Sequence, residues 1–567
     1  MSRTLIGALL VLAASRGSFA DGPADLILAN GRVWTADLRE PWAEAVAIRG
    51  DRVLKVGTAA EVFPTRGPRT KVIELGGRLV TPGFNDAHLH LMEGALSLGR
   101  VDLIEETTLP GVQARIRAFA AANSKSPWVL GRGWLYSPFP GDLPTKAQLD
   151  AAVPDRPSYM ECYDGHSGWA NSRALALAGI NRDTSDPEGG LIVRDPKTHE
   201  PTGLLKESAR LLVAAKIPAP DSEERYSRLL EAVRFLNSEG ITSVTEAGSD
   251  EEPIEKDVPL LERALREGKL SVRVVAAVVM DPGKAGAAIA RAKALGESHR
   301  SSPLLRFGRM KAYVDGVIES HTAALLSPYA DDPAAGSGTP NWSPSELNEA
   351  VVAADAAGLQ VYLHAIGDRA VRMALDAHEA ALRANGRMDR RGRIEHIETI
   401  QGVDYPRFKE LGVIASMQPL HANPDQNNFD VWARNLGPDR ASRGFSWRNL
   451  EKADARLIFG SDWPVVTPDV FRGLYCAVTR KTRDGSPPEG WLPELAVSLE
   501  HALRHYTVDG AFASFDENEK GALVEGQLAD IAVLSSNLFE GPPERILGTR
   551  VLLTIMGGDV VYRTGGL

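Results

Sequence analysis

The chain has 567 residues, of which 43% are hydrophobic and 24% charged, and a formal net charge of -10. That length exceeds one ordinary compact domain and suits one large barrel plus a smaller module. The composition supports a sizeable core, and no Lys/Arg-rich run stands out, which argues against a nucleic-acid or anionic-membrane role.

The first element is a leader. Arg3 precedes the apolar run LIGALLVLAA (5–14), which closes on Ser18-Phe19-Ala20 before Asp21. This layout predicts a signal peptide over residues 1–20 and a secreted or periplasmic protein, with a non-cleaved N-terminal helix as the alternative. The run is too short to span a bilayer, and no later segment is apolar for long enough to do so. Cys162 and Cys476 are too few for a disulfide framework or a cysteine-based metal site. They either pair or stay as two buried thiols.

Residues 21–81 read as strands joined by tight turns. Asn30-Gly31, Gly50-Asp51 and Gly76-Gly77 each predict a hairpin. From residue 82 the pattern changes to strand-like runs alternating with helical stretches. One strand ends at His88–His90. The others are GITSVTEAG (240–248), SVRVVAAVVM (271–280), RFGRMKAYVDG (306–316), LQVYLHAIGD (359–368), RGRIEHIET (391–399), GVIASMQP (412–419) and ARLIFGSDWP (455–464). Eight such units predict an α/β fold, a (β/α)8 TIM-like barrel over 82–520, with its active site at the strand C-terminal ends. Residues 101–235 are too long for one connection and predict an insertion over the barrel mouth. Residues 521–567 return to β texture with a Gly557-Gly558 turn. The economical arrangement is a small β-sandwich domain formed by both chain ends, 21–81 and 521–567.

Six ionisable residues fall at predicted strand ends. They are His88 and His90 on the first, Lys311 in the fourth, His364 on the fifth, His396 on the sixth and Asp462 on the eighth. Each alone has a bland reading: a hydrogen-bonded rim histidine, a loop-capping aspartate. Lys311, between Met310 and Ala312, needs a reason to be buried, because desolvating its charge is costly. Together the six predict a divalent-metal site. Imidazole and carboxylate donors suit Zn²⁺ best, with Mn²⁺, Co²⁺ or Fe²⁺ as alternatives.

The stretches LVTPGFNDAHLH, DGHSGWANSRALALAGI (164–180), KAYVDGVIESHTAALLSPY (311–329), VYLHAIGDRAV (361–371), RIEHIE (393–398), IFGSDWPV (459–466) and KGALVEGQLADIAVLS (520–535) resemble the amidohydrolase superfamily. The resemblance is to amidohydrolase family 3, the group that includes N-substituted formamide deformylases, and covers about residues 25 to 565. It implies that His88 and His90 bind a more buried metal, and His364 and His396 a more exposed one. Lys311 would be an N6-carboxylysine bridging the two, and Asp462 would bind metal and manage the proton. A single-metal centre with unmodified Lys311 is the alternative. Many relatives carry an arginine near position 321, where this chain has His321, and a rim histidine is the favoured reading there. His166 is the candidate substrate contact from the insertion; otherwise it organises the insertion. Trp134 and Tyr136 either line a pocket or simply pack.

The implied reaction is hydrolysis of an amide- or formamide-type C–N bond by a metal-activated hydroxide, with Asp462 as acid/base. A small-molecule substrate is expected, and a homo-oligomer stays open. Two rival readings remain. The same fold could cleave an ester or lactam or catalyse an isomerisation, or the chain could be an exported non-catalytic binding protein.

Overall fold

Eight parallel strands make the central sheet of the computed structural model, which describes residues 22–162, 167–249, 253–425 and 427–567. They are β1 Phe84–Leu89, β2 Ile241–Glu246, β3 Arg273–Val279, β4 Leu305–Tyr313, β5 Gln360–Ala365, β6 Arg393–His396, β7 Ile414–Met417 and β8 Arg456–Phe459. Each pairs with the next in chain order from β1 to β8. The amide of Asp462, just past β8, donates to the carbonyl of His88 in β1 at 2.6 Å, so the two ends of the sheet meet. All eight expected strands are present. The strands are buried on both faces, as in the run RVVAAVV of β3, because helices cover a parallel sheet from outside.

The outer helices carry the matching apolar stripe. In Asp368–Asn385, residues Ala370, Val371, Ala374, Leu375, Ala377, His378 and Ala381 are buried at helical spacing. Pro344 opens the helix Pro344–Ala356, and Ser343 caps it by accepting from the amide of Glu346. Helix Ser222–Ser238 also belongs to this layer, since Leu229, Ala232, Val233 and Leu236 join the barrel core. The expected insertion, 101–235, therefore runs too far. Its own six-stranded sheet ends with Pro201–Glu207, and it has a separate buried cluster that includes Trp134, Met160 and Trp169. Arg132 of this insertion donates to the carbonyl of Pro464, tying it to the loop that carries Asp462.

Glu239 ends that barrel helix. Burial pushes its carboxyl up to about 8, with Asp469 adding to the effect, from an ordinary 4.5. The folded chain holds this proton more tightly than the unfolded chain. The contribution is therefore present below pH 4.5 and lost as pH rises to about 8. Glu239→Gln is expected to raise the thermal midpoint above pH 8 and leave it unchanged below pH 4.5. Calorimetry at the two pH values checks this.

The chain ends meet in one six-stranded sheet, ordered 559–563, 551–556, 531–534, 79–82, 32–34, 42–43. A four-stranded sheet, ordered 52–57, 45–49, 24–29, 66–74, lies against it. Leu26, Leu28, Val46 and Ile48 of the second share a buried cluster with Val33, Val80, Ile531, Val533 and Leu553 of the first. Ala532, Leu534 and Val551 of the six-stranded sheet join the barrel core instead. A buried ion pair, Arg273 to Asp530 at 2.8 Å, fastens this sheet to β3. The sheets are thus fused to the barrel along one face.

Two of the expected hairpins form, at Gly50-Asp51 and Gly557-Gly558. The other two do not. Strands 24–29 and 32–34, on either side of Asn30-Gly31, lie in different sheets, as do 66–74 and 79–82 around Gly76-Gly77. Asn30 has φ +54°, so the left-handed turn is real, but it hands the chain from one sheet to the other. Cys162 and Cys476 are both buried and no disulfide joins them. No helix among the described residues is long and apolar enough to cross a membrane. The expected leader, 1–20, lies outside the described residues.

Candidate metal centre

The strand C-terminal ends bring the six expected side chains to one mouth. His88 points inward from β1 and is fully buried. His90 follows the strand, its amide donating to Trp463 O at 2.8 Å. Asp462 sits in the loop after β8 with φ +62°, a left-handed conformation of the kind that collects at functional sites. Gly460 allows this approach: a Cβ there would lie 2.4 Å from the His88 nitrogen. The carboxylate of Asp86 fixes the same seam, accepting from Ser461 N at 2.9 Å and His88 N at 3.2 Å.

His396 is a special case. Arg393 and Glu395 alternate with Ile394 and His396 along β6, so regular pleating sends the two pairs to opposite faces. His396 has φ +76°, which ends the pleat. Its ring then reaches the others, with centroids 4.9 Å from His88 and 4.6 Å from His364.

Asp462 is the hub. Its Oδ1 lies 3.0 Å from His90 Nε2 and 3.4 Å from His88 Nε2. Its Oδ2 lies 3.4 Å from His421 Nε2 and 4.0 Å from His396 Nδ1. Donor atoms of His88, His396 and Asp462 all fall within 4.8 Å of one another. His364 Nε2 instead lies 3.3 Å from Gly316 O, which leaves its Nδ1 for the centre. His396 Nδ1 meets Gln418 Oε1 at 2.8 Å, leaving Nε2. Lys311 Nζ is completely buried, without a hydrogen-bond partner, 4.6 Å above the Tyr313 ring.

Burial would raise the Asp462 carboxyl, but the surrounding His88, His90 and His396 hold it well below the carboxylate range. Burial and the charge of Lys311 push His364 down to about 3, and His396 falls well below its ordinary value chiefly by burial. Both imidazoles are therefore neutral donors at physiological pH. Burial also lowers the Lys311 ammonium.

These residues fit a divalent cation. His88 Nε2 and His90 Nδ1 are buried without a hydrogen-bond partner, and His88 Nε2 faces Asp462 Oδ1 at 3.4 Å. Each orphaned group costs about 1–3 kcal/mol, which a shared cation would offset. Nitrogen and carboxylate donors match Zn²⁺ chemistry.

The structure adds residues that the strand-end argument passed over. His421 stands two residues beyond Pro419 and stacks on His396 with rings 8° from parallel. Glu398 accepts from Trp432 Nε1 at 2.7 Å and lies 3.8 Å from His421 Nδ1. Glu395 contacts His88 from behind at 2.6 Å. A histidine just past the seventh strand was the visible signal for the first. His321 is a rim residue, 3.0 Å from Asp331 and edge-on to Tyr329. Trp134 packs inside the insertion with Tyr136, Phe139 and Trp169. His166 lies outside the described residues.

A parallel eight-stranded barrel with histidines and an aspartate converging at its C-terminal mouth defines a hydrolase of the metal-dependent barrel type. The family model for the amidohydrolase family matches residues 71–562, and the chain belongs to that family. It is 33% identical to Protein LONG AFTER FAR-RED 3 of Arabidopsis thaliana, over 95% of this chain and 92% of that protein. It is 30% identical to N-substituted formamide deformylase of Arthrobacter pascens, over 95% of this chain and 99% of that one. A crystal structure of an uncharacterized metal-dependent hydrolase from Pyrococcus furiosus superposes with a TM-score of 0.69 at 26% identity, covering 91% of this chain and all of that one.

Proposed function

We propose that the protein hydrolyses an amide- or formamide-type C–N bond of a small molecule at this centre. The observation that carries the reading is Asp462, whose two oxygens face different partners: Oδ1 the pair His88 and His90, Oδ2 the ring of His421. The likeness to a formamide deformylase along nearly the whole chain supports the bond type.

His88, His90 and Asp462 would hold one divalent cation, Zn²⁺ by donor chemistry, and His364, His396 and a carboxylated Lys311 a second. Such a cation, when bound, lowers the pKa of water and polarises a carbonyl. Asp462 Oδ2 takes the proton of the attacking water and returns it to the leaving nitrogen. His421 Nε2, which has no hydrogen-bond partner, meets the carbonyl oxygen as it gains charge. The insertion covers the mouth, excludes water and brings His166 to the substrate. Residues 1–20 direct export, and the two terminal sheets act as one small sandwich module.

Chelation is expected to abolish amide and formamide hydrolysis, with Zn²⁺ restoring it. A panel of formamides, acetamides, lactams and esters reads the bond type. Ester turnover exceeding formamide turnover would overturn the assignment.

A further inference from the structure

His88 has a second contact, directed away from the centre. Its Nδ1 lies 2.6 Å from Glu395 Oε2. Glu395 Oε1 in turn lies 2.8 Å from Arg393 Nε. Arg393 donates to Ser416 Oγ at 2.9 Å and to the carbonyl of Ala87, the residue before His88. Its guanidinium stacks 4.1 Å above the Tyr362 ring. All three side chains, His88, Glu395 and Arg393, are completely inaccessible to solvent. The chain of contacts crosses the barrel interior from β6 to β1, two strands that share no ladder.

A buried Arg–carboxylate pair is not an efficient way to stabilise a core. Apolar residues of similar volume do as well or better. The pair therefore calls for a local explanation, which the ring of His88 supplies. A carboxylate at Nδ1 accepts a proton there, so the lone pair must sit on Nε2. Nε2 is the nitrogen that faces Asp462 without a hydrogen-bond partner. The other histidines are held differently. His396 rests on the neutral amide of Gln418, His364 on the carbonyl of Gly316, and His90 Nδ1 has no partner. Among the described residues, His88 is the one ring of the centre with a carboxylate at hydrogen-bond distance behind it.

We propose that Glu395 is a positioning residue of the metal centre: anchored by Arg393, it fixes His88 in the Nδ1–H tautomer and aims Nε2 at the cation. Arg393 adds a second hold by binding the backbone at Ala87, so the ring and its main chain are set by one guanidinium. This inference rests on the reading of the centre as metal-binding.

The test uses purified full-length protein stripped of metal and titrated with Zn²⁺ against a competing chelator. Glu395→Gln is expected to weaken the tightest Zn²⁺ site by about 10–100-fold. In histidine-¹⁵N-labelled apo protein, the His88 resonances should show the Nδ1–H tautomer in wild type and lose it in the variant. A merely structural role would not change the tautomer. Glu395→Gln leaves Arg393 without its carboxylate and could impair folding. The paired variant Arg393→Met with Glu395→Met removes both charges, and it is expected to fold and to show the same loss of affinity. Wild-type affinity in the folded double variant, or an unchanged His88 tautomer in Glu395→Gln, would overturn the positioning role while leaving the centre standing. A wild-type chain that takes up no Zn²⁺ would overturn both.

Discussion

Asp462→Asn is expected to lower kcat/KM by about 10³-fold with little change in KM, in line with the usual worth of a general acid/base. The substitution keeps the shape of the side chain. The backbone bond from residue 462 to His88 O, 2.6 Å long, does not involve the side chain and survives. What disappears is the capacity of Oδ2 to take a proton beside His421, together with the negative charge shared by His88 and His90 on Oδ1. Metal content should fall only in part, because the imidazoles of His88 and His90 remain. Steady-state kinetics on a formamide, with metal analysis and circular dichroism on the same sample, separate the proton role from loss of the ion. Full activity in a folded, metal-loaded Asp462→Asn would sink the assignment.

The barrel was legible because its strands are enclosed on both faces. Runs such as RVVAAVV have no polar alternation and little choice of partner other than a parallel neighbour. Local turn chemistry was a poorer guide. Asn30-Gly31 and Gly76-Gly77 look like Gly50-Asp51, yet only the last closes a hairpin. A tight turn fixes the direction of the chain. Which sheet the next strand joins depends on where its apolar face finds cover, here against the strands of residues 531–556 far along the chain.

The site divided in the same way. The gathering of His88, His90, Lys311, His364, His396 and Asp462 at one mouth was legible because barrel geometry collects strand ends. Glu395 was not. In RIEHIE a charged residue alternating with isoleucine reads as a strand with one wet face, yet that face lines the barrel interior and Arg393 balances the charge. His421 lies in the short 3₁₀ turn Pro419–Ala422, where no periodicity marks a direction. Helix Ser222–Ser238 was assigned to the insertion because length alone cannot say where a lid stops and the next βα unit begins.

Lys311→Met tests the most unusual group in the centre. The Lys311 amine is wholly buried, has no hydrogen-bond partner and is driven toward its neutral form by desolvation. A neutral amine can add to carbon dioxide. The new N–C bond forms as the nitrogen releases a proton, giving an anionic carbamate whose oxygens serve as ligands. Methionine has nearly the same length and no nucleophile. If Lys311 is carboxylated, Lys311→Met should lower kcat/KM by more than the roughly 10–100-fold that outer-shell partners are worth. It should also cost one metal ion per chain. Native mass spectrometry of the wild type should show one added carbon dioxide that is lost on acid denaturation. An unmodified lysine predicts the reverse. Replacing an unsatisfied buried amine by an apolar side chain of similar shape would raise the thermal midpoint and leave the metal count unchanged. The sign of the stability change, read beside the metal count, therefore decides between a bridged pair of ions and a single one.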